Sequence, residues 1–267
     1  MTPGDGPFDR KLRRLRLARA DARGGPYFLL QLMADDLIER LELVQRRFAD
    51  ALVLGGGDLA VRLRERGLRV TCSDADEDRL PFPAASFDLI LSAGRLDTVN
   101  DLPGALIQIR RTLRPDGLFL AAFLGAGSLP RLRQAMRAAE AAEGRPAAPR
   151  IHPQIDVRAA GDLLTRAGFA LPVADTEIVS IRYPAFAALV ADIRALGATN
   201  MLLARDRRPF GRTGLAAAAA DFAAGDGAPE RFEIVYLTGW APAPDQPKAA
   251  PRGSGSVSLA DALKPRD

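Results

Sequence analysis

Apolar positions along the chain switch repeatedly between helical and strand spacing. In residues 8–48 basic and apolar positions alternate at helical period. Leu12, Leu15 and Leu17 form a first stretch, and Leu29, Leu30, Met33, Leu37, Ile38 and Leu41 a second. Gly24-Gly25-Pro26 divides them, so two helices are expected. The first reads as a solvated basic helix packing through its leucines, or else as an arm for a partner or membrane surface. The short apolar run DALVL (50–54) ends at Gly55-Gly56-Gly57, and LAVRLRER then reads as a helix with Gly67 as its cap. LRVTCSD is the next strand and ends in acid. SFDLILSAG is a strand, NDLPGALIQIRRTLRP a helix starting at Asn100 or Asp101, and LFLAAFLG a strand entered through the turn Asp116-Gly117.

Beyond residue 128 the pattern is mixed. LPRLRQAMRAAEAAEG, DVRAAGDLLTRAGF (stopped by Gly168), FAALVADIRALGAT and GLAAAAADFAA read as helices. VADTEIVSIRY and RFEIVYLTGWAP read as strands, and the stretch from 243 is poor in apolar residues and is expected to be disordered. Strand, glycine turn, helix, strand and acid in that order form a βαβ unit. The expected class is therefore α/β, a Rossmann-like sheet with flanking helices, N-terminal helices and a C-terminal helical cap region. Expected divisions are a helical arm (1–48), a Rossmann-like core (49–127), a part completing sheet and cap (128–242) and a tail (243–267).

Composition narrows the chemistry. In 267 residues there are one cysteine, Cys72, and one histidine, His152. The chain can make no internal disulfide, no structural zinc site and no two-His, one-carboxylate iron site, so no metal is expected. The pI is near 9.7, yet the net charge is only +4 and aromatics are sparse. Nucleic-acid binding is not expected. No apolar run reaches the roughly 20 residues that span a bilayer, and the N-terminus lacks a secretory h-region. A cytoplasmic protein is expected, with peripheral contact at the inner face of the membrane left open.

A glycine turn before a helix lets backbone N–H groups approach a cofactor, and an acid ending the second strand can bind ribose hydroxyls. Asp74 follows Gly57 by 17 residues, close to the spacing of roughly 20 for such an acid. A tight turn needed only for packing explains three glycines equally well. His152 sits among prolines and reads as a surface-loop residue, Arg110, Arg111 and Arg114 as a solvated face, and Tyr236 and Trp240 as packing residues.

Longer phrases add to this. DADEDRLPFPAASFDLILS and NDLPGALIQIRRTLRPDGLFLAAF resemble class I S-adenosylmethionine-dependent methyltransferases, the broad group that includes malonyl-carrier-protein methyltransferases. FDRKLRRLRLARA, DTVNDLPGAL, LLTRAGFALPVADTEIVSIRYP, LGATN, YLTGW and RGSGSVSLADALK are similar to the complex I (NADH dehydrogenase) assembly factor 5 group, over about residues 8–264. The resemblance implies a methyltransferase fold and S-adenosylmethionine as cofactor, held at Gly55, Gly56, Gly57, Asp74, Asp76 and Leu80. It assigns no catalytic residue and no oligomeric state. As partner it implies a respiratory complex I subunit or another protein acceptor. In the studied mitochondrial members the activity is arginine hydroxylation.

The sequence departs from the pattern in several places. Val53 stands where the family carries an acid, and Leu59 near the third glycine. Asp97-Thr98 replaces a His-Trp pair, which removes an aromatic wall and places a carboxylate there, a change that either abolishes the ancestral chemistry or suits a cationic acceptor such as arginine. Most consequential, Asp74 and Asp76 are nearly adjacent where the family has roughly 20 residues, a helix and a strand, between the ribose acid and the acid before Leu80-Pro81-Phe82. Either one strand does two jobs or one strand–helix unit is missing, and in the plainest reading the DADED cluster is a solvated loop that binds nothing. Three functions remain open: a methyltransferase for a protein or small acceptor, a non-catalytic complex I assembly chaperone, and a protein arginine hydroxylase.

Overall fold

The computed structural model describes residues 6–23, 28–55, 57–225 and 227–247; Gly56, the 24–26 break and the phrase RGSGSVSLADALK lie outside them. Helices α1 (Arg10–Arg23) and α2 (Phe28–Glu42) precede strand β1 (Asp50–Gly55), α3 (Leu59–Glu65) and β2 (Arg69–Cys72). After a 3-10 turn at Glu77–Arg79 come β3 (Phe87–Ala93), a second such turn at Leu96–Thr98, α4 (Leu102–Thr112) and β4 (Leu113–Leu124). The remainder is α5 (Pro130–Ala142), α6 (Val157–Arg166), β5 (Ala170–Ile181), α7 (Phe186–Ala195), α8 (Arg212–Ala224) and β6 (Glu230–Trp240).

The strands form one six-stranded sheet in the order β2-β1-β3-β4-β6-β5. The first four are mutually parallel, and β6 runs antiparallel to both β4 and β5. Helices cover both faces, so inner strands bury every residue, as β3 does over all of FDLILSA. Strand periodicity divides β1: Ala51 and Val53 point to the layer of α2, α3, α5, α7 and α8, while Leu52 and Leu54 point to that of α4 and α6. Each fully buried leucine contributes about 1.5–3 kcal/mol. Asp88, in the Phe-Asp phrase, accepts from the backbone N–H of Ala49 and Asp50 at 3.0–3.2 Å, tying β1 to β3. Asp101 caps α4 by accepting from the Gly104 N–H at 2.8 Å.

Among the described residues one strand, β2, lies between Gly57 and Phe87. It pairs only with β1, at the sheet's edge. The missing unit is therefore the outermost strand, and no inner strand lost a ladder partner. From β2 the chain runs directly through Asp74–Asp78 to Leu80 and Phe82, which packs edge-on against Phe87 at 5.2 Å.

Four expectations need correction. Helix α1 does not pack chiefly through its leucines: its buried residues are Arg13 and Ala20, and Leu15 is 45% exposed. β4 starts at Leu113, ahead of the Asp116-Gly117 turn, which is a bulge with Asp116 at φ +60. Arg114 lies in that strand, and its Nη1 donates to Asp50 at 2.8 Å. The tail is anchored at its start, since Gln246 Nε2 donates to Asp116 at 2.8 Å and to the Ala241 carbonyl at 3.0 Å.

Candidate functional site

Parallel strands leave their carboxyl ends open to ligands where crossovers diverge. Here β1 ends at Gly55, β2 leads into Ser73-Asp74, and β3 leads into Gly94-Arg95. Between them and α1 lies a cavity of about 190 Å³, lined by Arg13, Leu17, Asp21, Asp74, Glu77 and Arg95 among others. Ligand pockets usually measure about 300–1,000 Å³.

Gly55 adopts φ +74 and Gly57 φ +56, left-handed conformations that glycine holds at little cost. The space over Gly55 is filled: a Cβ there would run into Nε, Cγ and Cδ of Arg95. Arg95 faces Asp21 of α1 at 3.8 Å, and burial pulls its guanidinium below the ordinary arginine range.

Helix α1 is held over this end of the sheet by charge. Arg10 donates to Asp78 at 2.8 Å and reaches Asp76 at 3.2 Å, and Arg14 also pairs with Asp76 at 3.2 Å. The hydrogen bond from Arg10 holds the Asp78 carboxyl below the usual range, and the same bond raises Arg10. Arg13, 5% exposed, is the centre. Its Nη2 donates to Glu77 Oε1 at 2.9 Å and to the Arg95 carbonyl at 3.0 Å, and its Nε donates to Thr98 Oγ1 at 3.0 Å. The other oxygen of the buried Glu77 has no partner. Next to Thr98, burial pushes the Asp97 carboxyl up to about 6.

The expected cofactor residues are thus divided. Gly55, Gly57 and Asp74 meet at one end of the sheet, with Asp74 on the cavity wall. Asp76 is turned to the arginines of α1. Leu80, 5% exposed, belongs to the core beneath, with Leu52, Leu54 and Ile90. Gly56 lies outside the described residues. Arg13, Glu77 and Arg95 were not anticipated. One signal was present: basic residues at 10, 13 and 14 share a helix face, and three acids run through 76–78. His152 is not a surface residue. It is 7% exposed, accepts from the Met201 N–H at 3.1 Å and meets Phe8 edge-on at 5.2 Å. Burial lowers its pKa to about 4.

Residues 55–121 match the family model of a methyltransferase domain. Arginine-hydroxylase NDUFAF5, mitochondrial, of Danio rerio is 40% identical over 203 residues, spanning 72% of this chain and 61% of its own length. The protein of that name from Mus musculus is 32% identical over 290 residues, covering 97% of this chain and 84% of its own. The chain belongs to the NDUFAF5 family. Against the Danio rerio relative it spans less than two thirds of that protein's length. The sheet and its helices match a methyltransferase-fold protein from Bacillus halodurans with TM-score 0.50 and 11% identity, over 78% of this chain and 100% of that one. The two NDUFAF5 relatives are mitochondrial by name, and among the described residues no helix is long and apolar enough to cross a membrane.

Within this methyltransferase fold, the residues as placed do not fit S-adenosylmethionine. Arg95 takes the room above Gly55, the cavity is small, and Val53 (2% exposed) and Leu59 (fully buried) are core residues. What the end of the sheet does hold is a guanidinium.

Proposed function

We propose that the chain is an assembly factor of the NDUFAF5 kind, which engages an arginine-bearing subunit of respiratory complex I at the carboxyl end of its sheet. The carrying observation is the acid-lined cleft closed around the Arg13 side chain, with Asp76 and Glu77 on one side and Thr98 on the other. Carboxylates in a site shielded from water attract a planar cation strongly and select against anions. The name of the relatives, arginine-hydroxylase, supports the same acceptor.

The test is mass spectrometry of complex I subunits from a strain lacking the protein and from the complemented strain. An arginine that gains one oxygen, or one methyl, only in the complemented strain supports modification. Unmodified arginines with complex I assembly lost in the deletion support a holding role. Intact, identically modified complex I in both strains overturns the reading. Association of the chain with the inner face of the cytoplasmic membrane goes with it, and fractionation before and after a salt wash checks that placement.

A second reading, methyl transfer from S-adenosylmethionine, is favoured by the left-handed turn at Gly55 and by Asp74 on the cavity wall. It requires Arg95 to leave the space over Gly55. The residues here would then serve to orient acceptor and donor in line.

A further inference from the structure

The arginine at the centre of this cleft belongs to the chain itself. Three acceptors converge on its planar fork: Glu77 Oε1 at 2.9 Å, Thr98 Oγ1 at 3.0 Å and the Arg95 carbonyl at 3.0 Å. Asp76 adds a fourth oxygen, a second carboxylate's, at 3.8 Å from Nη1. Such an arrangement suits guanidinium, whose donors lie in one rigid plane, rather than an ammonium, which carries no such fork. The match is nevertheless incomplete. Glu77 is 3% exposed and its Oε2 has no hydrogen-bond partner, so one buried acceptor of the cleft is left unused by Arg13. A carboxylate able to take a bidentate guanidinium is held here in monodentate contact, at the wall of the cavity.

The helix supplying that arginine buries little else. The buried residues of α1 are Arg13 and Ala20. Displacement requires only that the Arg13 side chain leave, because Arg10 and Arg14 have their own contacts to Asp78 and Asp76.

We propose that Glu77, Thr98 and the Arg95 carbonyl form a guanidinium-binding subsite for an acceptor arginine, and that Arg13 occupies it as an internal surrogate. The proposal rests on the reading of an arginine-bearing acceptor and adds to it the subsite and its regulation: an incoming arginine competes with Arg13, and its apparent affinity falls by the fraction of chains in which Arg13 is seated.

Calorimetry on the full chain with N-acetyl-L-argininamide tests this, with N-acetyl-L-lysinamide as control. Arg13→Ala is expected to bind argininamide at least about tenfold more tightly than the wild type. Adding Glu77→Gln is expected to remove the gain, and the lysine compound to show none. Equal binding by Arg13→Ala and the wild type overturns the proposal, as does a gain that survives Glu77→Gln or extends to lysinamide. Arg13→Met, which keeps the apolar stem, is measured in parallel. Where either variant melts too low for calorimetry, the readout is the thermal midpoint, which argininamide should raise in the variant and not in the wild type; no rise overturns it. The subunit mass measurement fails independently: argininamide binding with no modified arginine and no assembly defect keeps the subsite and removes the acceptor, and a modified subunit without argininamide binding does the reverse.

Discussion

Arg95 lies across Gly55, so that a single added carbon on the glycine would meet three atoms of the arginine side chain. Gly55 therefore serves two demands: φ +74 at the end of β1 and close approach by a neighbour. In a cofactor site that neighbour is a ligand. Here it is part of the protein, and the glycine turn admits an arginine side chain.

The two demands separate by mutation. Gly57 is also left-handed, at φ +56, but a Cβ there has nothing within 4 Å. Gly57→Ala should cost about 1 kcal/mol from backbone strain alone. Gly55→Ala should cost about 2–4 kcal/mol, because strain and a collision with the arginine's Cγ add. In an Arg95→Ala background the Gly55→Ala cost should fall to that of Gly57→Ala, read from urea midpoints as a double-mutant cycle. Equal costs in both backgrounds would show that Arg95 simply swings aside.

Removing Arg95 should also change what binds. The wild type is expected to give no calorimetric heat with S-adenosylmethionine at millimolar concentration, since the cavity of about 190 Å³ falls short of a pocket for it. Arg95→Ala enlarges that space and should tighten binding at least about tenfold, enough to register. Asp74→Ala in the same background should abolish it, if Asp74 takes the ribose. Micromolar binding by the wild type would mean that Arg95 yields readily to the cofactor.

How much of this was visible beforehand depended on the range of the interaction. The sheet was legible because DALVL and FDLILSA are apolar runs closed by glycine, and because Asp101 and Gly168 mark helix ends locally. The shortened core was legible from the adjacency of Asp74 and Asp76. Its position at the sheet edge was not, since that depends on β2 pairing with β1 alone. Helix α1 misled for the same reason. Leucine spacing suggests an apolar face, but Arg13 is buried by acids more than 60 residues away, and no local periodicity carries that pairing. His152 looked exposed among prolines until Phe8, from the far end of the chain, packed against it. Leu80 belonged to a family phrase but faces the core, which a phrase does not encode.

The half-buried Asp97 and the buried His152 give the last prediction, a pH profile in which two opposite slopes meet. Asp97 titrates near 6 when folded against an ordinary 3.8, because burial penalises its charge. Between about 4 and 6 the folded chain keeps a proton that the unfolded chain has released, so this group makes stability fall as pH rises. His152 titrates near 4 when folded against 6.5, again through burial, with Arg16 adding repulsion. There the unfolded chain holds the extra proton, and stability rises with pH from about 4 to 6.5. Each shift is worth at most about 3 kcal/mol, and about 1–3 kcal/mol is expected after partial solvent screening. Carboxylates held low by arginines, such as Asp78, lose their contribution only as pH falls below about 4, outside this window. The wild type should therefore show a nearly flat unfolding free energy between pH 4 and 6. Asp97→Asn should leave a rising slope. His152→Gln, which keeps an acceptor for the Met201 N–H, should leave a falling one. Urea titrations at pH 4, 5 and 6 measure all three; variant profiles parallel to the wild type would mean that neither group titrates as its burial dictates.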